Sequence, residues 1–548
     1  MRRAIGSLGF APSLVHVLRR VVVIVAVALS VAACSSSGDD TTAITAETSV
    51  VTRPSSSSSG TSTQPAAVTE PLAELPQATV STPAGTRPAP PSFEPQPIEW
   101  TQFNDAVDVG TLAVPVDYND PNGPTFQLHL ARYNALDPEN RIGTLLVNPG
   151  GPGFGGSVLA VRAAEVYDRV LRERFDIVGW DPRGTGQSTP AIDCVDDYDA
   201  YFASDKTPQN DAEHTTLVDT DKRFAEECQA RSGDILQHVG TNDSARDMDV
   251  IRRAVGEERI SYFGFSYGSE LGAAWATLFP DTVRAMVLDG AADPDADPVQ
   301  SNLQQLSGFE GALDNFLAQC SEDEGCAFNN RGDAAGAFDA LMAQLDATPI
   351  PSAPDRPPLN RAMATVAVVQ AMYRQSFWPA LAQSLAAAQA GDGAGLLQFF
   401  DMYYQRSQDG TWGNELEAFR VIDCMDQPLR QTVEEVDAGT PAFHEAAPRL
   451  VPADSAGGYA CGFLPPAADP RVEVTATGAG PVIVIGTTGD PATPFDSTRT
   501  MSDELEDARL VVVTANQHTG YGVNDCVIDA VNRYLIDLEP PADETTCS

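Results

Sequence analysis

The sequence predicts an α/β protein, with a mostly parallel central sheet flanked by helices and a large helical cap inserted over it. Three observations carry this expectation. Buried-type strands at 144–147, 175–180, 260–263, 285–289, 481–486 and 510–514 alternate with helix-compatible segments, as the crossovers of a parallel sheet require. Between 291 and 474 the alternation stops, and the chain reads as nearly all helical. Ile260-Ser261-Tyr262-Phe263 runs straight into Gly264-Phe265-Ser266-Tyr267-Gly268, and a small-residue helical stretch follows until Pro280. A serine in such a strand-to-helix turn sits in strained backbone with its hydroxyl exposed, and the flanking glycines let strand and helix approach.

At 548 residues the chain can hold a large core and an insertion. Its 34 basic and 76 acidic residues give a net charge of −42, which argues against nucleic acid or an anionic membrane surface as partner. Residues 1–33 read as an export signal, with Arg2, Arg3, Arg19 and Arg20 before an apolar run too short to span a bilayer. That run ends Val31-Ala32-Ala33-Cys34, which resembles a bacterial lipobox. Cys34 is therefore the expected site of diacylation and of membrane attachment. Residues 34–97 are rich in Ser, Thr and Pro and carry no aromatic residue before Phe93, the composition of a disordered tether.

The catalytic body is expected as a first core part (98–290), the cap (291–474) and a C-terminal core part (475–548). Strands at 110–115 and 126–131 are joined through the turn at 119–123, and His129 reads as a structural strand residue. Strand 144–147 opens into Asn148-Pro149-Gly150-Gly151-Pro152-Gly153, followed by a helix to about residue 171. No Gly-Lys-Ser/Thr follows, so this is not a phosphate loop; its N–H groups at a helix start suit an oxyanion instead. After strand 175–180, Asp181 and Arg183 are expected to pair across a turn. Residues 194–237 read as a polar loop, 245–255 as an amphipathic helix, and 303–318, 334–345 and 362–390 as cap helices. Strand 481–486 leads to Gly489-Asp490-Pro491, and strand 510–514 leads to Asn516-Gln517-His518-Thr519-Gly520 before a last helix at 523–536.

Apart from Cys34, eight cysteines remain, an even number that suits four disulfides in an exported chain. Pairing each with its neighbour in sequence gives Cys194–Cys228, Cys320–Cys326, Cys424–Cys461 and Cys526–Cys547. No CxxC pair occurs, so no metal site is expected, and no cofactor.

A serine hydroxyl needs a base within reach, and the base needs a carboxylate to fix its tautomer. Of the six histidines, His518 alone lies in a glycine-flanked loop after a late strand. Two carboxylates compete to orient it, Asp289 and Asp490, each ending a strand. Asp490 is favoured, because it gives the chain order Ser, Asp, His.

Taken jointly, Val114-Pro115-Val116-Asp117-Tyr118, 148–153, 181–188, 264–268, Val287-Leu288-Asp289-Gly290, Ile422-Asp423-Cys424-Met425-Asp426, 489–494 and His518 resemble a known family. It is that of the actinobacterial tripeptidyl aminopeptidase-like serine hydrolases, relatives of proline iminopeptidases in the α/β-hydrolase superfamily. The likeness spans nearly everything from Trp100 to Cys547. It implies an α/β-hydrolase fold, Ser266 as nucleophile, Asp490 as acid and His518 as base, with the N–H groups of Gly151 and Tyr267 as oxyanion hole. The cysteine positions resemble the family's too, which supports the sequential pairing; residues 102–109 depart from it in lacking cysteines. The implied reaction releases short N-terminal units, such as tripeptides, from peptides through an acyl-enzyme. The substrate's free ammonium would need a carboxylate under the cap, for which Asp426 and Glu270 are the candidates. A carboxylesterase or lipase with the same triad is the rival within the superfamily, and a non-catalytic surface binding protein the rival outside it.

Overall fold

The computed structural model describes residues 93–548; the expected signal segment, Cys34 and the expected tether up to residue 92 lie outside the described residues. The centre is a ten-stranded sheet. Its strands are β1 (Thr101–Gln102), β2 (Val107–Pro115), β3 (Thr125–Tyr133), β4 (Gly143–Asn148), β5 (Phe175–Trp180), β6 (Ile260–Phe265), β7 (Val283–Asp289), β8 (Val482–Thr487), β9 (Ala508–Val513) and β10 (Thr545–Cys547). They lie in the order β1-β2-β3-β5-β4-β6-β7-β8-β9-β10. The first three pairings from the β1 edge are antiparallel. Every pairing from β5 to β10 is parallel.

The sequence pattern explains why the middle strands sit in the centre. β4, β6 and β8 are apolar almost throughout and are covered on both faces, as parallel strands are. Successive side chains feed two separate cores. Leu146, Tyr262, Leu288 and Val484 point into one, Val147, Phe263, Val287 and Ile485 into the other. All the parallel strands end on one edge of the sheet, where open α/β sheets carry their ligand sites.

Helices in the chain include α1 (Asp211–Ser232), α2 (Thr241–Ala254), α3 (Tyr267–Leu278), α4 (Arg361–Met372), α5 (Trp378–Gln389), α6 (Ala394–Tyr403) and α7 (Glu415–Asp426). The chain between β7 and β8 is helical, with only an isolated bridge between Ile350 and Leu359 inside it. Disulfides link Cys194 to Cys228, Cys320 to Cys326, Cys424 to Cys461 and Cys526 to Cys547. The last of these clips the C-terminal strand β10 to the final helix, Asp525–Asp537.

Four local expectations need correction. Residues 194–237 hold the 22-residue helix α1 rather than a loop; Asn210 caps it, and it buries only a sparse stripe around Leu217, Phe224 and Cys228, too weak to register as periodicity. The helix expected after 157 is broken into three short pieces, Ser157–Val161, Ala163–Val166 and Arg169–Arg174. The stretch 362–390 is two helices, because Pro379 sits in the first turn of α5, the one helical position that tolerates proline. Asp181 and Arg183 do not pair. Asp181 instead accepts the N–H groups of Ser157 and Gln187 at 3.0 and 2.9 Å. Arg183, fully buried, pairs with Asp247 of α2 at 2.6 Å, and the Tyr118 hydroxyl donates to the same carboxylate at 2.6 Å.

Candidate active site

β6 delivers Ser266 to the sheet edge in a conformation that side chains resist, φ 54° and ψ −130°, immediately before α3. Backbone bonds hold it there. The Ser266 N–H donates to the Asp289 carbonyl at 2.8 Å, and the Ser266 carbonyl accepts from the Ser269 N–H at 2.7 Å and hydroxyl at 2.5 Å. The turn closes so tightly that a Cβ on Gly264 would fall 2.2 Å from the Gly268 carbonyl oxygen.

The loop after β4 packs directly on this turn. Asn148 Oδ1 accepts the Gly150 N–H at 2.8 Å, which bends the chain back over the serine. Gly150 has φ +94°, and a Cβ there would lie 2.8 Å from Ser266 Cβ and 3.0 Å from Tyr267 N. Gly151 comes next. Tyr267 opens α3, where N–H groups have no acceptor within the helix, so the two expected oxyanion donors stand on adjoining segments. Gly153 in turn backs onto the main chain of α7 at Glu415 and Phe419.

At the ends of β8 and β9, His518 Nδ1 meets both oxygens of Asp490, at 2.8 and 2.9 Å. The carboxylate is fixed by further donors: the N–H groups of Ala492 and Thr493 at 2.9 Å each, Thr519 N–H at 3.2 Å and the Thr487 hydroxyl at 3.4 Å. The His518 Nε2 atom is buried and makes no hydrogen bond. Burial by itself would lower the pKa of this imidazole, but the charge and hydrogen bond of Asp490 outweigh it, and the balance is upward. The Asp289–Gly290 junction joins the segments of Ser266 and His518. Its carbonyl holds the Ser266 N–H, and a Cβ on Gly290 would come 3.1 Å from His518 Cε1.

Asp289, the rival acid, does something else. Its carboxylate is fully buried and accepts the Gly520 and Tyr521 N–H groups at 2.7 and 2.8 Å, anchoring the loop that carries His518. Burial pushes its pKa up to about 7, against the pull of those N–H groups.

The two carboxylates expected to receive an ammonium are engaged elsewhere. Asp426, at the end of α7, accepts the Thr241 N–H at 2.7 Å and the Thr241 hydroxyl at 2.5 Å. The Thr241 hydroxyl oxygen also lies 2.5 Å from the Tyr267 hydroxyl, so a chain of bonds runs from the cap to the residue after Ser266. Glu270, one turn into α3, forms an ion pair with Arg471, whose own N–H donates to the Asp426 carbonyl at 3.2 Å.

Three contributors escape sequence reading. Tyr373, in the break between α4 and α5, accepts the His518 N–H on its carbonyl at 3.0 Å and meets the imidazole edge-on at 5.5 Å between ring centres. Arg374 beside it bridges to Gln517. Thr493 places its hydroxyl 3.4 Å from His518 Nδ1. The proline at 379 was the available signal for the break, but nothing local says that a helix break will face the base. Among the described residues no group of His, Cys, Asp and Glu could hold a metal ion.

The profile of the alpha/beta hydrolase fold family matches residues 143–525, the span from β4 through the loop of His518. The chain is an α/β hydrolase. Three curated proteins are similar to it over most of their length. Serine protease Hip1 of Mycobacterium tuberculosis is 35% identical over 482 residues, covering 82% of this hydrolase and 91% of that protein. Carboxylesterase B of the same species is 34% identical over 485 residues, covering 85% and 92%. Tripeptidyl aminopeptidase of Streptomyces lividans is 30% identical over 459 residues, covering 81% and 84%. Chemically, the hydrolase offers a strained serine, a carboxylate-bound imidazole with its second nitrogen free, and N–H groups on two adjoining segments.

Proposed function

We propose that this hydrolase is an exported, lipid-anchored serine exopeptidase that releases short N-terminal units, such as tripeptides, from peptides with a free N-terminus. The observation that carries the reading is the bond between His518 Nδ1 and Asp490, which leaves Nε2 unbonded at the edge where Ser266 is presented. In this scheme Ser266 Oγ attacks the scissile carbonyl as His518 Nε2 takes its proton, and Asp490 stabilises the imidazolium. The N–H groups of Gly151 and Tyr267 receive the developing oxyanion. His518 then protonates the leaving amine, and the acyl-enzyme forms. Water attacks the ester with His518 again as base, and the peptide acid leaves as Ser266 regains its proton. Attachment through a diacylated Cys34 would hold the enzyme on the outer face of the cell membrane.

Peptidase chemistry is favoured by two of the relatives, named serine protease and tripeptidyl aminopeptidase; the relative named carboxylesterase B keeps ester hydrolysis as the second reading. The deciding experiment compares kcat/KM for a tripeptide p-nitroanilide, its N-acetyl form and p-nitrophenyl butyrate, with Ser266→Ala as blank. Exopeptidase action requires at least a hundredfold preference for the free amine. Equal rates on blocked and free peptides, with faster ester turnover, would establish the esterase instead. Metabolic labelling with a fatty-acid probe, lost in Cys34→Ala, tests the anchor.

A further inference from the structure

In a chain so rich in acids, arginines find carboxylates readily. Arg356 pairs with Asp199 and Asp401, and Arg246 with Asp243 and Asp469. Several described cations have only neutral acceptors, and three of these line one cavity. Lys206, Arg361 and Arg420 line a half-open pocket of about 210 Å³, walled also by Tyr201, Phe202 and Tyr404. Among the described residues no carboxylate lies within ion-pair distance of any of the three. The acids nearby make their hydrogen bonds to neutral donors, although the Asp221 charge still acts on Lys206 and Arg420. Asp205 accepts the Thr207 N–H and hydroxyl at 3.0 and 2.7 Å, and Asp221 accepts the Tyr201 hydroxyl and the Tyr459 N–H at 3.0 and 2.8 Å.

The donors themselves are poorly used. The Arg420 guanidinium lies over the rings of Tyr201 and Phe202, at 5.6 and 5.4 Å, so its charge rests on aromatic faces while the N–H edge stays available. Arg361 gives one N–H to the Arg449 carbonyl at 3.2 Å, and its Nε is buried without an acceptor. The Lys206 ammonium stands 5.7 Å from the Tyr201 ring centre. Burying cations without partners is costly, and burial does draw the Lys206 pKa down. An anion in the cavity would offset that cost for Lys206.

We propose that this pocket binds a small organic carboxylate, its charge held by Arg420, Arg361 and Lys206 and its apolar body against Tyr201, Phe202 and Tyr404. A guanidinium fork accepts carboxylate and phosphate alike, but the aromatic walls favour an anion with an apolar part over an inorganic one. The volume is below the roughly 300 Å³ at which drug-sized pockets begin, so the ligand is small. The site is separate from Ser266, yet α4, which supplies Arg361, leads into Tyr373 against His518, and α7, which supplies Arg420, carries the backbone under Gly153.

The test is calorimetric titration of the purified chain with 3-phenylpropionate, its neutral amide and inorganic phosphate, at constant pH and ionic strength. We expect saturable binding of the carboxylate, at least tenfold weaker in Arg420→Gln and in Lys206→Met and retained in Arg420→Lys. The amide should not bind. A second readout needs no variant: 3-phenylpropionate should protect Lys206 from acetylation, read by peptide mass spectrometry. Equal binding of acid and amide, affinity unchanged in both charge-removing variants, or unprotected Lys206 at saturation would overturn the proposal. Phosphate binding tighter than 3-phenylpropionate would overturn the carboxylate assignment.

Discussion

Asp490→Asn separates the two acids most sharply. The wild-type carboxylate accepts five donors, and an asparagine can reproduce the role of Oδ1 toward Ala492, Thr493 and His518. Its amide nitrogen then replaces Oδ2, where the Thr519 N–H donates at 3.2 Å, so two donors face each other. The Thr519 N–H left without an acceptor costs about 1–3 kcal/mol of stability, while the amide's own N–H finds an acceptor at His518 Nδ1. That moves the imidazole proton to Nε2, the atom that accepts the proton of Ser266 in the proposed scheme. Loss of the base should reduce kcat by about 10³–10⁴-fold, equivalent to roughly 4–5.5 kcal/mol of barrier, more than the stability change. The assay is kcat/KM on the free-amine tripeptide p-nitroanilide, alongside the thermal midpoint. The pH profile supplies an independent check. Activity needs neutral His518, whose pKa stands above its ordinary value, so the acid limb of the wild type should have its midpoint above about 6.5. Without the Asp490 charge burial prevails, and any residual activity should show that limb at lower pH. Turnover within tenfold of wild type in Asp490→Asn, with Asp289→Asn inactive but folded, would refute the reasoning and make Asp289 the acid.

Gly150→Ala would set a Cβ 2.5 Å from the Phe265 carbonyl and 2.8 Å from Ser266 Cβ at a φ of +94°, so kcat should fall about 10²-fold through misplacement of the nucleophile, with KM little changed. Asp289→Asn should loosen the His518 loop and lower stability by about 1–3 kcal/mol. Because burial raises the Asp289 carboxyl to about 7, above its unfolded value, its stabilisation is complete below about pH 4 and lost as pH rises through 7. The gap in thermal midpoint between parent and variant should therefore narrow from pH 5 to pH 8. Replacing Cys424 and Cys461 by serine opens a link across 37 residues, a loss of about 4 kcal/mol by chain entropy, read from denaturant unfolding without reductant.

The parallel sheet was legible because its strands are apolar on both faces, a signal that needs no partner to be seen; β4, β6 and β8 lie within a few residues of where periodicity puts them. The elbow at Ser266 was legible because its strain is local, written in glycines on either side. Helix α1 was not, since it is held by the Asn210 cap and by a few contacts rather than by a broad apolar stripe. Arg183 misled for a related reason. Its neighbour in sequence was the visible acid, whereas its partner Asp247 sits 64 residues away on α2. Tyr373 was invisible because only packing turns a helix break into a wall against the imidazole.

Asp426 and Glu270 extend that argument to specificity. From sequence each reads either as a receptor for the substrate's ammonium or as a structural acid, because its partners come from distant chain: Thr241, 185 residues before Asp426, and Arg471 for Glu270. With those partners in view, the pair acts as a brace. Asp426 ties the end of α7 through Thr241 to the Tyr267 hydroxyl, and Arg471 ties the last residues of the cap to α3. A brace of this kind would couple the position of the cap to the first turn of α3, where Tyr267 stands. Under the proposed function, selection for the substrate's N-terminus would then act on catalysis as well as on affinity, since a ligand that seats the cap would also fix an expected oxyanion donor.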